Sequence, residues 1–233
     1  MSSFTLKILA LFFMIIDHIG FIFFPSELIY RAIGRLALPL FAYQMAVGFS
    51  HTKNKRNHIL KLLVFAIICQ IPYMLMLNLY RIPMTLNILF TFVLSLLTIS
   101  TLERITFDKS FIKHFNFKAL FKNCWLLVLS IGLIALGCYL NVDYTWYGII
   151  LTTIFYFTLK NKVLSISLFF ILINLKFLIG KSTMDALAYS SLFDIIFILF
   201  FNGKKDYSHP WIFYLLYILH FVLLLLIKQF ITN

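Results

Sequence analysis

The chain has 233 residues, 62% of them hydrophobic and 12% charged, with a formal net charge of +12 and a mean hydropathy of +0.97. That composition excludes an ordinary soluble domain. The apolar runs recur along the whole length, which predicts an all-α polytopic transmembrane helix bundle forming a single domain over residues 1–233, with no internal repeat of the kind many transporters carry.

Nine helices are expected, at 4–24, 28–50, 58–79, 87–106, 122–140, 145–159, 163–179, 184–201 and 211–231. The first is long enough to span a bilayer and is followed by Phe24-Pro25-Ser26-Glu27 rather than a small-residue cleavage site, so it reads as a helix and not as a removed signal peptide. The sixth and seventh are short, and one of them could be re-entrant. Cys69, Cys124 and Cys138 form no Cys-x-x-Cys pair, so neither a disulfide framework nor a zinc site is indicated.

The first helix contains Asp17-His18, and the second contains Arg31 and Arg35. An ionised group at membrane depth costs several kcal/mol and is read as functional, with a partner to be found. Helix rise places Asp17 roughly 10 Å and Arg35 roughly 12 Å below the same boundary, so the expected partner of Asp17 is Arg35. His18 is the candidate general base, because imidazole takes and returns a proton near neutral pH. The structural alternative is an ion pair with an incidental histidine.

Further along, His51 ends the second helix, where the helix dipole favours it as a cap, beside Lys53, Lys55 and Arg56. Asn87 and Thr91 share a face of the fourth helix, and Asn87 is a candidate donor to developing negative charge. Asp143 sits in a short turn before the sixth helix, and Asp194 lies within the eighth. His220, with Tyr217 and Tyr214 on its face, is open between a place in a polar core and a hydrogen-bonded histidine in a packed bundle. No Ser-His-Asp elbow, phosphate loop or dinucleotide fingerprint occurs, and no spacing supports a metal site.

With the N-terminus inside, the inside segments hold fourteen of the twenty Lys and Arg residues: Lys7, Lys53, Lys55, Arg56, Lys61, Arg104, Lys109, Lys113, Lys118, Lys122, Lys160, Lys162, Lys204 and Lys205. The positive-inside rule therefore predicts a multi-pass protein of the cell (inner) membrane with a cytoplasmic N-terminus. The charge reads as topology and attraction to anionic lipid. No nucleic-acid partner is expected, while a phosphate-rich cytosolic ligand is compatible.

Several segments carry a resemblance to a known family. They are Ile16-Asp17-His18-Ile19-Gly20, Gly34-Arg35-Leu36-Ala37-Leu38-Pro39, Gly48-Phe49-Ser50-His51-Thr52, Gln70-Ile71-Pro72-Tyr73 and Asn87-Ile88-Leu89-Phe90-Thr91. Asp143-Tyr144 with Tyr147-Gly148, Asn202-Gly203-Lys204 and Tyr217-Ile218-Leu219-His220 complete the set. In this order and spacing the chain resembles the TraX family over nearly its whole length. It departs from the expected pattern in the turn Asp143-Tyr144-Thr145-Trp146-Tyr147-Gly148 and at Ile218. The resemblance implies an integral inner-membrane acetyltransferase related to the acyltransferase-3 type, the named member acetylating a conjugative pilin at its amino terminus. It implies acetyl-CoA as acyl donor, His18 as proton acceptor and Arg35 as a donor-binding or site-ordering charge.

The expectation is thus a membrane-embedded acyltransferase. Catalysis would rest on His18, Asp17 and Arg35, and donor binding on His51, Lys53, Lys55 and Arg56. Asn87, Asp143 and His220 would line the site, and a peptide, pilin or glycan acceptor would approach near the outer face. Direct transfer and an acetyl-histidine intermediate are both compatible with the residues. The rival expectation is a proton-coupled transporter using Asp17, Asp194 and His220.

Overall fold

A computed structural model describes residues 1–105, 117–203 and 210–232; Lys109, Lys113, Lys204, Lys205 and the last residue of the helix expected at 87–106 lie outside them. The described residues form helices and no strand: α1 (Ser3–Phe23), α2 (Leu28–Gly34), α3 (Ala37–Ser50), α4 (Lys55–Leu79), α5 (Ile88–Leu102), α6 (Phe117–Tyr139), α7 (Thr145–Thr158), α8 (Lys162–Gly180), α9 (Thr183–Leu187), α10 (Asp194–Leu199) and α11 (Pro210–Thr232). A 3₁₀ segment, Ala188–Phe193, joins α9 to α10. With α2–α3 and α9–α10 each taken together, the described residues form nine segments, at the places the apolar runs predict.

Local chemistry accounts for the starts. Ser2, Asn54, Asn87 and Asn161 each accept a hydrogen bond from a backbone N–H of the first turn of α1, α4, α5 and α8, which satisfies donors a helix otherwise leaves bare. A capping box between Ser182 and Asp185 opens α9. The run expected as one helix over 28–50 is broken at Arg35–Leu36. Pro39 is the reason: it has no N–H for the carbonyl four residues back, and its ring crowds that carbonyl.

Among the described residues, six segments are long and apolar enough to cross a membrane: Ser3–Phe23, Leu28–Ser50, Lys55–Leu79, Phe117–Tyr139, Lys162–Gly180 and Ile212–Ile231. Phe121, Trp125, Val128 and Ile131 on α6 are open to the surroundings, as side chains facing lipid should be. The chain is a multi-pass membrane protein. Successive segments run in opposite directions between two ends. At one, the α3–α4 end, the amino group of Met1 donates to the Phe200 carbonyl (2.5 Å), and the Lys162 ammonium donates to the carbonyls of Leu199 and Phe201 (2.8 Å each). At the other, the α1–α2 end, the Tyr80 hydroxyl donates to the Ile22 carbonyl (2.6 Å), and Leu86 pairs with Val142 in a single parallel bridge.

The half-helix α3 lies in the middle, against α1, α5, α7 and α10. Phe49, Phe92, Phe155, Phe169 and Phe221 are fully buried around it. Tyr43 meets Phe155 and Phe201 edge-on, with centroids 5.5 Å apart in both cases, an arrangement favoured by the ring quadrupoles. Against this core, α11 closes over α1 and α4.

Candidate functional site

The charges of the first two segments do meet, but in a different pairing from the one expected. Asp17 is 8% exposed, and its Oδ2 accepts from Arg31 at 2.6 Å. Arg35 is not its hydrogen-bonding partner. Arg31 lies on the regular turns of α2 that pack on α1, whereas Arg35 stands at the break. From there Arg35 donates to the Tyr144 hydroxyl (3.0 Å), lies over the Tyr144 ring and reaches the Met184 sulfur (3.6 Å). The second Asp17 oxygen and the Arg35 Nε are buried without a hydrogen-bond partner. The pairing needs glycine at position 34, because a Cβ there would occupy the space of the Asp17 carboxyl group.

His18 faces a second histidine. Its Nδ1 is 3.3 Å from the Nε2 of His220, with ring centroids 5.0 Å apart, and Phe221 closes one side at 4.7 Å. His220 is 5% exposed.

The turn before α7 supplies the opposite wall. The Leu86 carbonyl accepts from the Asp143 N–H at 2.8 Å, and the Thr91 hydroxyl donates to the Asp143 carbonyl at 2.5 Å. Tyr144 and Thr145 follow with φ of +58° and +43°. This left-handed backbone is uncommon for any residue with a side chain and a true outlier for β-branched threonine. The strained turn puts the Tyr144 hydroxyl against Arg35.

These elements enclose a small polar chamber of about 50 Å³, lined by Asp17, His18, Tyr73, Asp143, Tyr144 and Tyr217 among others. A larger cavity of about 440 Å³ lies toward the α3–α4 end. Phe41, Ile88 and Tyr217 line both, so the two are adjacent. The larger cavity has an apolar throat that includes Leu11, Phe65, Leu89 and Phe92, and its polar side chains are Lys7, Gln44, Thr52, His58, Lys61 and the tyrosines. Its volume is that of a small-molecule site.

The residues expected to hold a donor stand elsewhere. His51 is exposed, its Nδ1 2.9 Å from both the Ser50 hydroxyl and the Val47 carbonyl. Lys53 and Arg56 are exposed. Lys55 pairs with Glu103 at 2.5 Å and donates to the Tyr156 hydroxyl at 3.1 Å. None of the four lines the cavity. They lie close together in sequence at a helix boundary, where His51, Lys53 and Arg56 are exposed and Lys55 is tied to Glu103. The cations that reach it, Lys7 and Lys61, had been read only as topology signals. A usable signal was present in His58, Lys61 and Phe65, spaced three and four apart on one face of α4.

Asn87 is likewise committed to structure. Fully buried, it caps Leu89 N–H (3.0 Å) and donates to the Ala66 carbonyl (2.8 Å) and the Gln70 side chain (2.9 Å). Its neighbour Ile88, not Asn87, lines the cavities. Asp194 is fully buried with both carboxylate oxygens unbonded and lines neither cavity, so the chamber does not join it to His220 as a relay would require. Among the described residues no three His, Cys, Asp or Glu side chains converge.

A helical membrane protein with paired charges and a histidine pair buried between its first, second and last segments defines the class. Within that class the chain belongs to the TraX family, described as TraX protein, which it matches over residues 2–228. It is also 33% identical over 111 residues to the probable fimbrial assembly protein FimC, serogroup H1, of Dichelobacter nodosus, a match covering 42% of this chain and 45% of that protein. The matched region thus spans less than half the length of this curated relative. No solved structure matches the chain.

Proposed function

We propose that the protein is a membrane-embedded acyltransferase that moves an acetyl group from acetyl-CoA to an amine or hydroxyl acceptor, with His18 as the proton acceptor. The observation that carries this reading is the adjacency of two cavities, one flanked by cations and lined by an apolar throat, the other a small chamber that holds a histidine. A long, phosphate-bearing thioester matches that sequence of environments. Lys7 and Lys61 face its anionic end, the throat takes its extended arm, and the chamber holds only a small group beside His18.

The cations at the α3–α4 end make that end cytoplasmic by the positive-inside rule, which is where acetyl-CoA is made available. The acceptor then approaches from the α1–α2 end. The family and the fimbrial assembly relative favour a pilin or another exported peptide with a free amino terminus; a glycan hydroxyl has the same chemistry at the chamber. Tyr144, on the far wall with Arg35 donating to its hydroxyl behind it, supplies a donor to negative charge developing on the thioester oxygen. Asp17, paired with Arg31 at 2.6 Å, stands beside His18.

The test is coenzyme A release by the purified protein in detergent or nanodiscs with acetyl-CoA and a pilin-derived amino-terminal peptide. His18→Ala should lower turnover by about 10²–10⁴-fold, the usual worth of a general base, with the protein still monodisperse. Release at the wild-type rate in that variant would remove His18 from the mechanism.

A further inference from the structure

The histidine pair supports a second assignment, which rests on the acyltransferase reading. We propose that His220 is a positioning residue: its Nε2 accepts from the His18 Nδ1–H and so leaves the His18 Nε2 as the nitrogen that works in the chamber.

The two rings come from opposite ends of the chain, 202 residues apart, and meet at 3.3 Å. One nitrogen of that contact must donate and the other accept. A base that works through Nε2 must hold that nitrogen bare, so the His18 hydrogen sits on Nδ1 and the His220 Nε2 is the acceptor. The other His220 ring nitrogen, Nδ1, is buried with no hydrogen-bond partner.

The surroundings leave His220 as the residue that can take this part. Asp17, adjacent in sequence, is bonded to Arg31. Of the other titratable groups nearby, Tyr73 and Cys69 on α4 and Tyr217 on α11 are buried, and the Tyr73 hydroxyl bonds Thr85 at 2.9 Å. His18 lines the chamber and His220 does not; it sits behind, against Phe221 at 4.0 Å and Tyr217 at 5.3 Å. A neutral imidazole here does the orienting work of a carboxylate without a second buried charge at a depth where each is expensive.

In the transfer step the acceptor's N–H or O–H proton moves to the His18 Nε2 while the acceptor atom bonds the acyl carbon. The carbon–sulfur bond then breaks, and the departing thiolate takes the proton from Nε2 as free thiol. The Nδ1 hydrogen stays on His18 throughout, and the His220 Nε2 supports the transient imidazolium.

Two variants and two readouts test this. His220→Phe keeps the ring shape without an acceptor, and His220→Gln restores a polar group near the Nε2 position. His220→Phe should lower kcat about 10²-fold or more, with KM for acetyl-CoA unchanged, and His220→Gln should recover turnover to within about tenfold of wild type. Independently of any acyl transfer, diethyl pyrocarbonate should modify His18, read by peptide mass spectrometry, several-fold more slowly in His220→Phe than in wild type or His220→Gln. Equal loss in both variants, a raised KM with unchanged kcat, or unchanged His18 labelling in His220→Phe would overturn the assignment. If the wild-type protein transfers nothing, the acyltransferase reading falls, and the labelling alone decides the positioning role.

Discussion

The two cavities that share Phe41, Ile88 and Tyr217 are built from different chemistry. Half of the small chamber's lining residues are polar, namely Asp17, His18, Asp143 and three tyrosines, with the charges beside it held by Arg31 on Asp17 and Tyr144 on Arg35. The larger cavity is mostly apolar, and the Lys7 ammonium lies over the Phe213 ring at 5.3 Å. Buried charge in the first has to be paired to exist at all, because low dielectric magnifies both the attraction and the penalty for its loss. Cations near an exposed helix end in the second cost little. One region therefore holds a fixed geometry, and the other is the region where the proposed donor would bind.

This contrast predicts its largest stability effect at the Asp17–Arg31 pair. Arg31→Leu leaves Asp17 uncompensated, at a cost of about 3–5 kcal/mol. Arg35→Leu removes a bond to an uncharged hydroxyl and should cost well under half of that while still lowering activity. Thermal unfolding in detergent of Asp17→Asn, Arg31→Leu and Arg35→Leu measures the difference. If Arg35→Leu is the more destabilising, the charges are exchanged in solution and the pairing seen here is not the one that holds the bundle.

The second expected effect belongs to the larger cavity. The double variant Lys7→Glu with Lys61→Glu should raise the acetyl-CoA KM about tenfold, a change of about 1.4 kcal/mol in binding, while kcat and melting temperature stay near wild type. Lys53→Glu with Arg56→Glu should change little, since neither side chain lines the cavity. The opposite ranking would return donor binding to the α3–α4 loop.

The smallest effect concerns the surface cluster of Lys55, Glu103 and Tyr156. Partial burial opposes ionisation of Glu103, but the hydrogen bonds from Lys55 and Tyr156 outweigh it and hold the carboxyl below its usual range. A lowered folded-state value means the contribution is complete above about pH 4.3, the unfolded value, and fades as the pH drops through the folded value. Glu103→Gln should therefore cost about 0.2–1 kcal/mol near neutrality and nothing more once the wild-type carboxyl is itself protonated. A penalty that persisted at low pH would assign Glu103 a role other than ion pairing.

The number and place of the helical segments were legible in the amino-acid sequence because lipid has no substitute for backbone hydrogen bonds. Each apolar run of sufficient length must become helix wherever it lies. The importance of Asp17, His18 and Arg35 was legible for a related reason, since charge and imidazole in such runs are costly unless used. What they touch was not. The break at Arg35 turns on Pro39 removing a hydrogen bond four residues back, and it rotates Arg35 from Asp17 to Tyr144 while leaving Arg31 in place. Asn87 looked available by residue type, but Gln70, 17 residues upstream in α4, already claimed its amide. The meeting of His18 with His220 depends on α11 packing across α1 and α4. Local periodicity specifies which face of each helix is polar; which two faces meet is decided only when all the segments pack together.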